Sequence, residues 1–294
     1  MTSCSNEIRR CRPLLGTYVE IAVGGTSESQ RVKAIEAAFA VIERVQQLMS
    51  FYEAGSDVSR LNQTAARRPV KVNAWTWQVL QAAKEMHGVT HGAFDVTIAP
   101  QLQRWGYLPG NGATRAHVID QSAIELMAGN RVRFRRPVQI DLGGIAKGFA
   151  VDQAIEALQA SGVGSARVNA GGDLRVCGPE SAPIHVRHPA SPGQLLALGR
   201  ITNAAVATSA GYFSRKRWHG RSVTPLLDPV RQRACRDDLS VTVQAPTCLL
   251  ADALTKAVLI LGERSADVLK ACSAVGYVVR RNGTVTATIR HHAS

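Results

Sequence analysis

Twelve residues, Asp141-Leu-Gly-Gly-Ile-Ala-Lys-Gly-Phe-Ala-Val-Asp152, constrain the fold more than any other stretch, because they mark a turn between two elements of different period. Val138-Gln-Ile-Asp141 reads as a short buried strand, whereas Ile145, Phe149, Ile155 and Leu158 recur at helical spacing. An acid therefore stands at a strand end, a Gly-Gly pair makes the turn, and a lysine enters the helix. In outline this is an anion-binding site. Gly143 and Gly144 let the backbone approach a ligand, the first helical N–H groups point outward unpaired, and Lys147 adds a full positive charge. A phosphate or pyrophosphate fits there. The spacing matches neither the phosphate loop G-x-x-x-x-G-K-S/T nor the dinucleotide fingerprint G-x-G-x-x-G. A Gly-Gly turn ahead of a helix also serves purely structural ends.

The 294 residues are 45% hydrophobic and 19% charged, enough for a sizeable core in one large or two intimately joined domains. No run approaches the roughly 20 apolar residues needed to cross a bilayer. The start, Met-Thr-Ser-Cys-Ser-Asn-Glu-Ile-Arg-Arg, lacks the apolar stretch of a secretory signal, so the expectation is a cytoplasmic protein, or an exported one if an upstream start codon precedes it. Cys4, Cys11, Cys177, Cys235, Cys248 and Cys272 show no C-x-x-C or Cys/His metal spacing, which points to reduced thiols rather than a disulfide framework or a zinc site. The net charge of +13 raises the question of a nucleic-acid partner. The basic residues cluster only locally, at Arg131 to Arg136 and at Arg215-Lys-Arg217 with Arg221, and no nucleic-acid-binding motif accompanies them. They read as a solvated surface with no nucleic-acid partner, whose positive field still gathers a polyanionic small molecule.

Gly16 to Val23 alternates as a strand after an irregular start over 1–14. A long helix follows, with Val32, Ile35, Phe39, Ile42, Val45 and Met49 along one face. Trp75 to about Val89 is a second helix, and Arg167 to Asn169, His185 to Arg187, Leu198 to Thr202 and Ser240 to Val243 are short strands. Leu249 to Leu261 and Ser265 to Cys272 are helical, and Asn282-Gly283 turns a terminal hairpin. Helices and strands are mixed throughout, without repeats or an obvious linker, so the parts are expected to fold as one compact unit. Four further clusters place small or polar residues where a core has no need of them. Met49-Ser-Phe-Tyr52 offers an aromatic able to stack on a base, and the polar stretch Ser56 to Asn62 follows it. His91-Gly-Ala-Phe-Asp95-Val-Thr97 is rich in turns, Asn169-Ala-Gly-Gly-Asp173 repeats the pairing of glycines with an acid, and Thr208-Ser209 offers two hydroxyls.

In this order and spacing, Met49-Ser-Phe-Tyr52, Ser59-Arg-Leu-Asn62, Gly92-Ala-Phe-Asp95, Asp141 to Gly148 and Asn169 to Asp173 resemble the ApbE family, the FAD:protein FMN transferases. The resemblance runs from about Leu15-Gly-Thr17 to Leu261-Gly262. It implies an α+β fold over 15–294, compact, with mixed sheets and packed helices. It also implies FAD as substrate, Mg²⁺-assisted cleavage of its pyrophosphate, and transfer of FMN to a threonine or serine hydroxyl of an acceptor flavoprotein, with AMP released. On these positions Met49, Tyr52, Asp95, Gly143, Gly144, Lys147, Gly171, Gly172, Asp173, Thr208 and Ser209 would bind FAD, with Tyr52 stacking on adenine. Lys147, Asp173 and Asp252 would carry catalysis. Asp252 would be the side-chain metal ligand, with a backbone carbonyl near Ala146 and the hydroxyl of Thr255 assisting.

Two positions depart from the family pattern. The threonine ligand expected one turn after Asp252 is Lys256, with Thr255 one residue early. Lys256 either snorkels to solvent or supplies part of the metal's charge with its ammonium. The histidine expected before Asp228-Pro229 is replaced in Ser222-Val-Thr-Pro-Leu-Leu-Asp-Pro229, where Thr224 offers no imidazole for acid–base work. These changes leave open a catalytically weakened flavin-binding homologue, or a hydrolase that splits FAD with water as acceptor.

Overall fold

Val19, Ile21 and Val23 alternate with Tyr18 and Glu20, and in the computed structural model all three are fully buried while Tyr18 faces solvent. Residues 7–110 and 118–288 are described; Cys4, His291 and His292 lie outside them. The elements run β1 (Ile8–Leu14), β2 (Thr17–Gly24), α1 (Glu28–Met49), α2 (Asp57–Thr64), β3 (Val70–Lys71), α3 (Ala74–Val89) and α4 (Ala99–Arg104). Next come β4 (Ile124–Met127), β5 (Arg131–Phe134), α5 (Ala146–Ala160), β6 (Ser165–Ala170), β7 (Asp173–Cys177), β8 (Ala182–Arg187), β9 (Leu195–Ile201) and β10 (Ala205–Ala210). The chain continues through β11 (Lys216–Trp218), β12 (Arg221–Val223), β13 (Leu227–Asp228), β14 (Arg233–Ala234), β15 (Leu239–Ala245), α6 (Cys248–Leu261), α7 (Ala266–Ala271), β16 (Val275–Arg280) and β17 (Val285–Ala287).

Eight strands form one antiparallel sheet in the order β1-β2-β6-β7-β10-β15-β16-β17. The two-residue period sorts its faces. Ala205 and Ala207 of β10 join the main core under α1, α5 and α6, while Val206 between them packs with Val176, Ile184 and Ile201 beneath the β8–β9 hairpin. A third cluster, Leu102, Trp105, Val223 and Leu227, ties α4 to the short hairpins that follow β10. The fold is α+β, as expected, and the hairpin around Asn282-Gly283 is present, with Gly283 at φ 83°.

Three expectations need correction. The first residues are not irregular up to 14: Ile8–Leu14 is the edge strand β1, paired with β2 along its whole length. It shows no alternation because an edge strand tolerates charge and proline, here Arg9, Arg10, Arg12 and Pro13, with Arg12 bonded to Glu36 at 2.6 Å. Val138 and Ile140 are buried, but Val138 to Asp141 belongs to no sheet. Asn62 takes the place of a partner strand, donating to the Ile140 carbonyl at 2.9 Å and accepting from its N–H at 2.7 Å, while Asp141 N–H reaches Val96 O at 2.8 Å. Finally, Val32 is exposed at 38%, because the buried face of α1 passes through Arg31, Ala34, Ile35 and Ala38 instead.

Candidate functional site

The start of α5 is pressed against the start of α6. A Cβ on Gly148 would stand 2.3 Å from the Cys248 carbonyl oxygen, so glycine is required there for backbone contact. That contact delivers Asp252, one turn into α6, to the first turn of α5, where the Gly148 N–H donates to its Oδ2 at 3.3 Å. The same two helices are locked by Asp152, whose carboxylate accepts from Cys248 N–H at 2.8 Å and Leu249 N–H at 2.9 Å and pairs with Arg175 at 2.7 Å. Asp152 is thus a helix cap supplied from a neighbouring helix. The helical N–H groups at this junction are not all open to a ligand as the sequence suggests: Ala146 N–H is bonded to Leu142 O at 2.8 Å and Gly148 N–H to Asp252.

Four charges then form a row. Lys147 is ion-paired with Asp173, at the start of β7, and lies 3.6 Å from Asp252 Oδ2. On the other side, Lys256 is ion-paired with Asp252 Oδ1 and donates to the Asp252 backbone carbonyl at 2.9 Å. Both aspartates are buried and both lysines reach the cleft wall. Burial, reinforced by the charge of Asp252, pushes the Asp173 carboxyl up to about 6 despite Lys147. Burial would raise Asp252 too, but Lys147 and Lys256 outweigh it and hold that carboxyl below its ordinary range. Burial opposes the charge of Lys147, yet Asp173 and Asp252 more than compensate, so it stays an ammonium. Asp141, in front of the row, is pushed up to about 6 by burial, against the Gly143 N–H and the Lys256 charge.

Two adjoining compartments open in front of these charges and share Tyr52, Asp141, Gly143 and Lys147 in their walls. The larger, of about 550 Å³, is lined by Asp95, Gly144, Gly171, Thr208, Ser209 and Lys256 among others. The smaller, of about 290 Å³, runs between Leu15, Met49, Phe51 and Ala146. Together they are of the size that takes a cofactor. Tyr52 stands 69% exposed at their junction, its hydroxyl donating to Tyr107 O at 2.8 Å.

Met49, Tyr52, Asp95, Gly143, Gly144, Lys147, Gly171, Thr208 and Ser209 line the two compartments, whereas Gly172, Asp173, Asp252 and Thr255 do not, and several polar groups are engaged internally. The Asp95 carboxylate accepts from Thr97 N–H at 2.7 Å and Thr97 hydroxyl at 2.6 Å, and burial raises it. Thr208 bonds Thr242 at 2.9 Å. Ser209 bonds Thr255 at 2.7 Å, and Thr255 donates to Asp252 O at 2.7 Å. The β6–β7 turn needs its glycines, because Gly171 and Gly172 adopt φ 65° and 104°. Thr224 closes a local turn with Leu226 and leaves the cleft wall to Pro225 and Leu226. Sequence reasoning missed Gly148, Asp152 and Asn62 as supports. A polar side chain at a buried helical position was the only available signal for Asp152.

The ApbE family model matches residues 15–277. A protein of Haemophilus influenzae named FAD:protein FMN transferase is 29% identical, aligned over 92% of this chain and 85% of its own. One of the same name from Vibrio cholerae is 30% identical over 76% and 72%. The crystal structure of the ApbE protein of Thermotoga maritima superposes with a TM-score of 0.83 at 27% identity, covering 96% of each chain. A mutant of flavin transferase ApbE from Vibrio cholerae gives 0.79 at 25%, covering 96% of this chain and 97% of that one. With the family motifs assembled around one cleft and matched over nearly its whole length, this chain belongs to the ApbE family.

Proposed function

We propose that this protein is an FAD:protein FMN transferase, moving FMN from FAD to a threonine or serine hydroxyl of an acceptor flavoprotein and releasing AMP. The observation that carries the reading is the row Asp173, Lys147, Asp252, Lys256 behind two adjoining compartments, each suited to one half of a dinucleotide. The pyrophosphate lies at the junction, beside Lys147 and Gly143, and the adenine stacks on Tyr52. Asp173, Gly171, Gly172, Thr208 and Ser209 bound the other side of the anion.

Phosphoryl transfer asks little covalent chemistry of a protein and much alignment and charge neutralisation. Lys147 is held rigidly between two buried carboxylates, so its ammonium meets the developing charge without reorganising. The acceptor oxygen forms a bond to the FMN-side phosphorus, the bridging P–O bond breaks, AMP leaves with its electron pair, and the hydroxyl proton passes to solvent.

The Mg²⁺ implied by the resemblance does not fit the residues present. Asp252 has Lys256 on one carboxylate oxygen and Gly148 N–H with Lys147 on the other, and the Thr255 hydroxyl is bonded to Asp252 O and Ser209. Among the described residues no group of three or more His, Cys, Asp or Glu side chains is arranged to hold a metal. No helix among them is long and apolar enough to cross a membrane. The five described cysteines are free thiols, which supports action in the reducing cytoplasm.

The test is incubation with FAD and an acceptor flavoprotein bearing a threonine site, followed by mass spectrometry of the acceptor and chromatography of AMP. An acceptor mass raised by one FMN, with AMP released in step, supports the reading. Hydrolysis of FAD without labelling makes the protein a pyrophosphatase, and FAD binding without AMP release makes it a flavin carrier; either overturns it.

A further inference from the structure

A lysine four residues after an aspartate on an exposed helix face is an ordinary surface pair of little consequence, and its stem usually carries the charge out to water. Lys256 does the opposite. Its side chain is only 17% exposed, and its Cε lies 3.4 Å from where a Cβ on Gly144 would stand, beside Phe94. The stem therefore lies across the α5 turn, packed beside Gly144. Its ammonium, with three N–H donors, uses two of them on Asp252 Oδ1 and the Asp252 carbonyl, and the group lines the larger compartment.

A magnesium ion at a phosphate site is usually anchored by one or two carboxylate oxygens, together with waters and substrate phosphates. Both oxygens of Asp252 are taken by protein donors, and two ammoniums within reach of them repel a second cation. We propose that Lys256 is the resident cation of this cleft. Together with Lys147 it binds the pyrophosphate of FAD directly, so FAD affinity is independent of divalent metal. The identity of the ligand rests on the transferase reading; the exclusion of metal does not.

Two measurements test it, neither of which reads catalysis. FAD is titrated by flavin fluorescence into the full chain in EDTA and again in excess Mg²⁺, and Mn²⁺ alone is titrated by electron paramagnetic resonance. The wild type is expected to bind FAD with the same affinity in both media, within about twofold, and to show no saturable Mn²⁺ uptake. Lys256→Thr removes one charge-assisted bond, so its FAD affinity in EDTA should fall by about tenfold or more. With the Asp252 oxygen released, that variant should bind Mn²⁺ and recover FAD affinity in Mg²⁺. Stoichiometric Mn²⁺ binding by the wild type, or a rise of about tenfold in its FAD affinity with Mg²⁺, would overturn the inference and leave the transferase reading standing. Because the decisive arm uses unmodified protein, a variant that fails to fold does not rescue it. Failure of acceptor labelling with metal-independent FAD binding intact would sink the transferase reading alone.

Discussion

Gly148→Ala separates two ways of reading the same residue. Taken as one helical position, alanine should stabilise α5 by about 1 kcal/mol over glycine. The contact with α6 reverses the sign. The added Cβ would lie 2.3 Å from Cys248 O, 2.6 Å from its carbonyl carbon and 2.8 Å from Leu249 N, all backbone atoms that cannot rotate away. Overpacking of this kind costs about 1–3 kcal/mol. Relief requires the two helix starts to part, which stretches the Gly148 N–H bond to the Asp252 carboxylate and the capping bonds of Asp152. Loss of one bond to a charged acceptor adds about 1.5–3 kcal/mol. Less the helix-propensity gain, the net destabilisation is about 2–5 kcal/mol. For a domain of this length that corresponds to a melting temperature lower by about 4–10 °C. Differential scanning calorimetry on wild type and variant reads it directly, with FAD titration as a second readout, since Asp252 and Lys256 shift with α6. A variant that melts at or above the wild-type temperature would refute the argument that Gly148 exists for helix contact.

Two further outcomes follow from the cleft. Tyr52→Ala should leave the melting temperature nearly unchanged, because the ring is 69% exposed, but should weaken FAD binding by the roughly 1–3 kcal/mol of a lost base–aromatic stack; unchanged affinity would remove adenine from this position. Asp141→Asn tests the charge balance: the folded carboxyl sits at about 6 against an ordinary 3.8, so the favourable contribution of its protonated form is complete below about pH 4 and lost as pH rises through about 6. The substitution should therefore raise the urea midpoint at pH 7.5 and leave it nearly unaltered at pH 4, and equal shifts at the two pH values would contradict it.

Much of the fold was legible where periodicity reports burial on one face. The α1 stripe from Ile35 to Met49, the alternation of β2, and the Asn282-Gly283 hairpin carry their own pattern, and the structure follows them. Two of the misreadings arose where a hydrogen-bonding partner, not periodicity, decides the structure. Val138 to Ile140 has the composition of a buried strand, yet its hydrogen bonds go to one asparagine 78 positions earlier. In β1, an edge strand with both faces partly wet, hydrophobic alternation is not required, and pairing with β2 is the only thing that makes it a strand.

At the site, helix geometry alone puts Asp252 and Lys256 on one face of α6, and the sequence goes no further than that. In the structure the ammonium turns into the cleft, its stem passing beside Gly144, more than a hundred residues earlier. Gly148 decides that Asp252 meets α5 at all. Gly148 therefore acts less by loosening a loop than by what it permits from another element: it admits a helix backbone. A phosphate-binding turn read from its own residues looks like a cradle of N–H groups. Placed against α6, it is a surface whose positive charge comes from Lys147 and Lys256 as much as from the backbone, and the pairing of those lysines with buried aspartates keeps that charge in place before any ligand arrives.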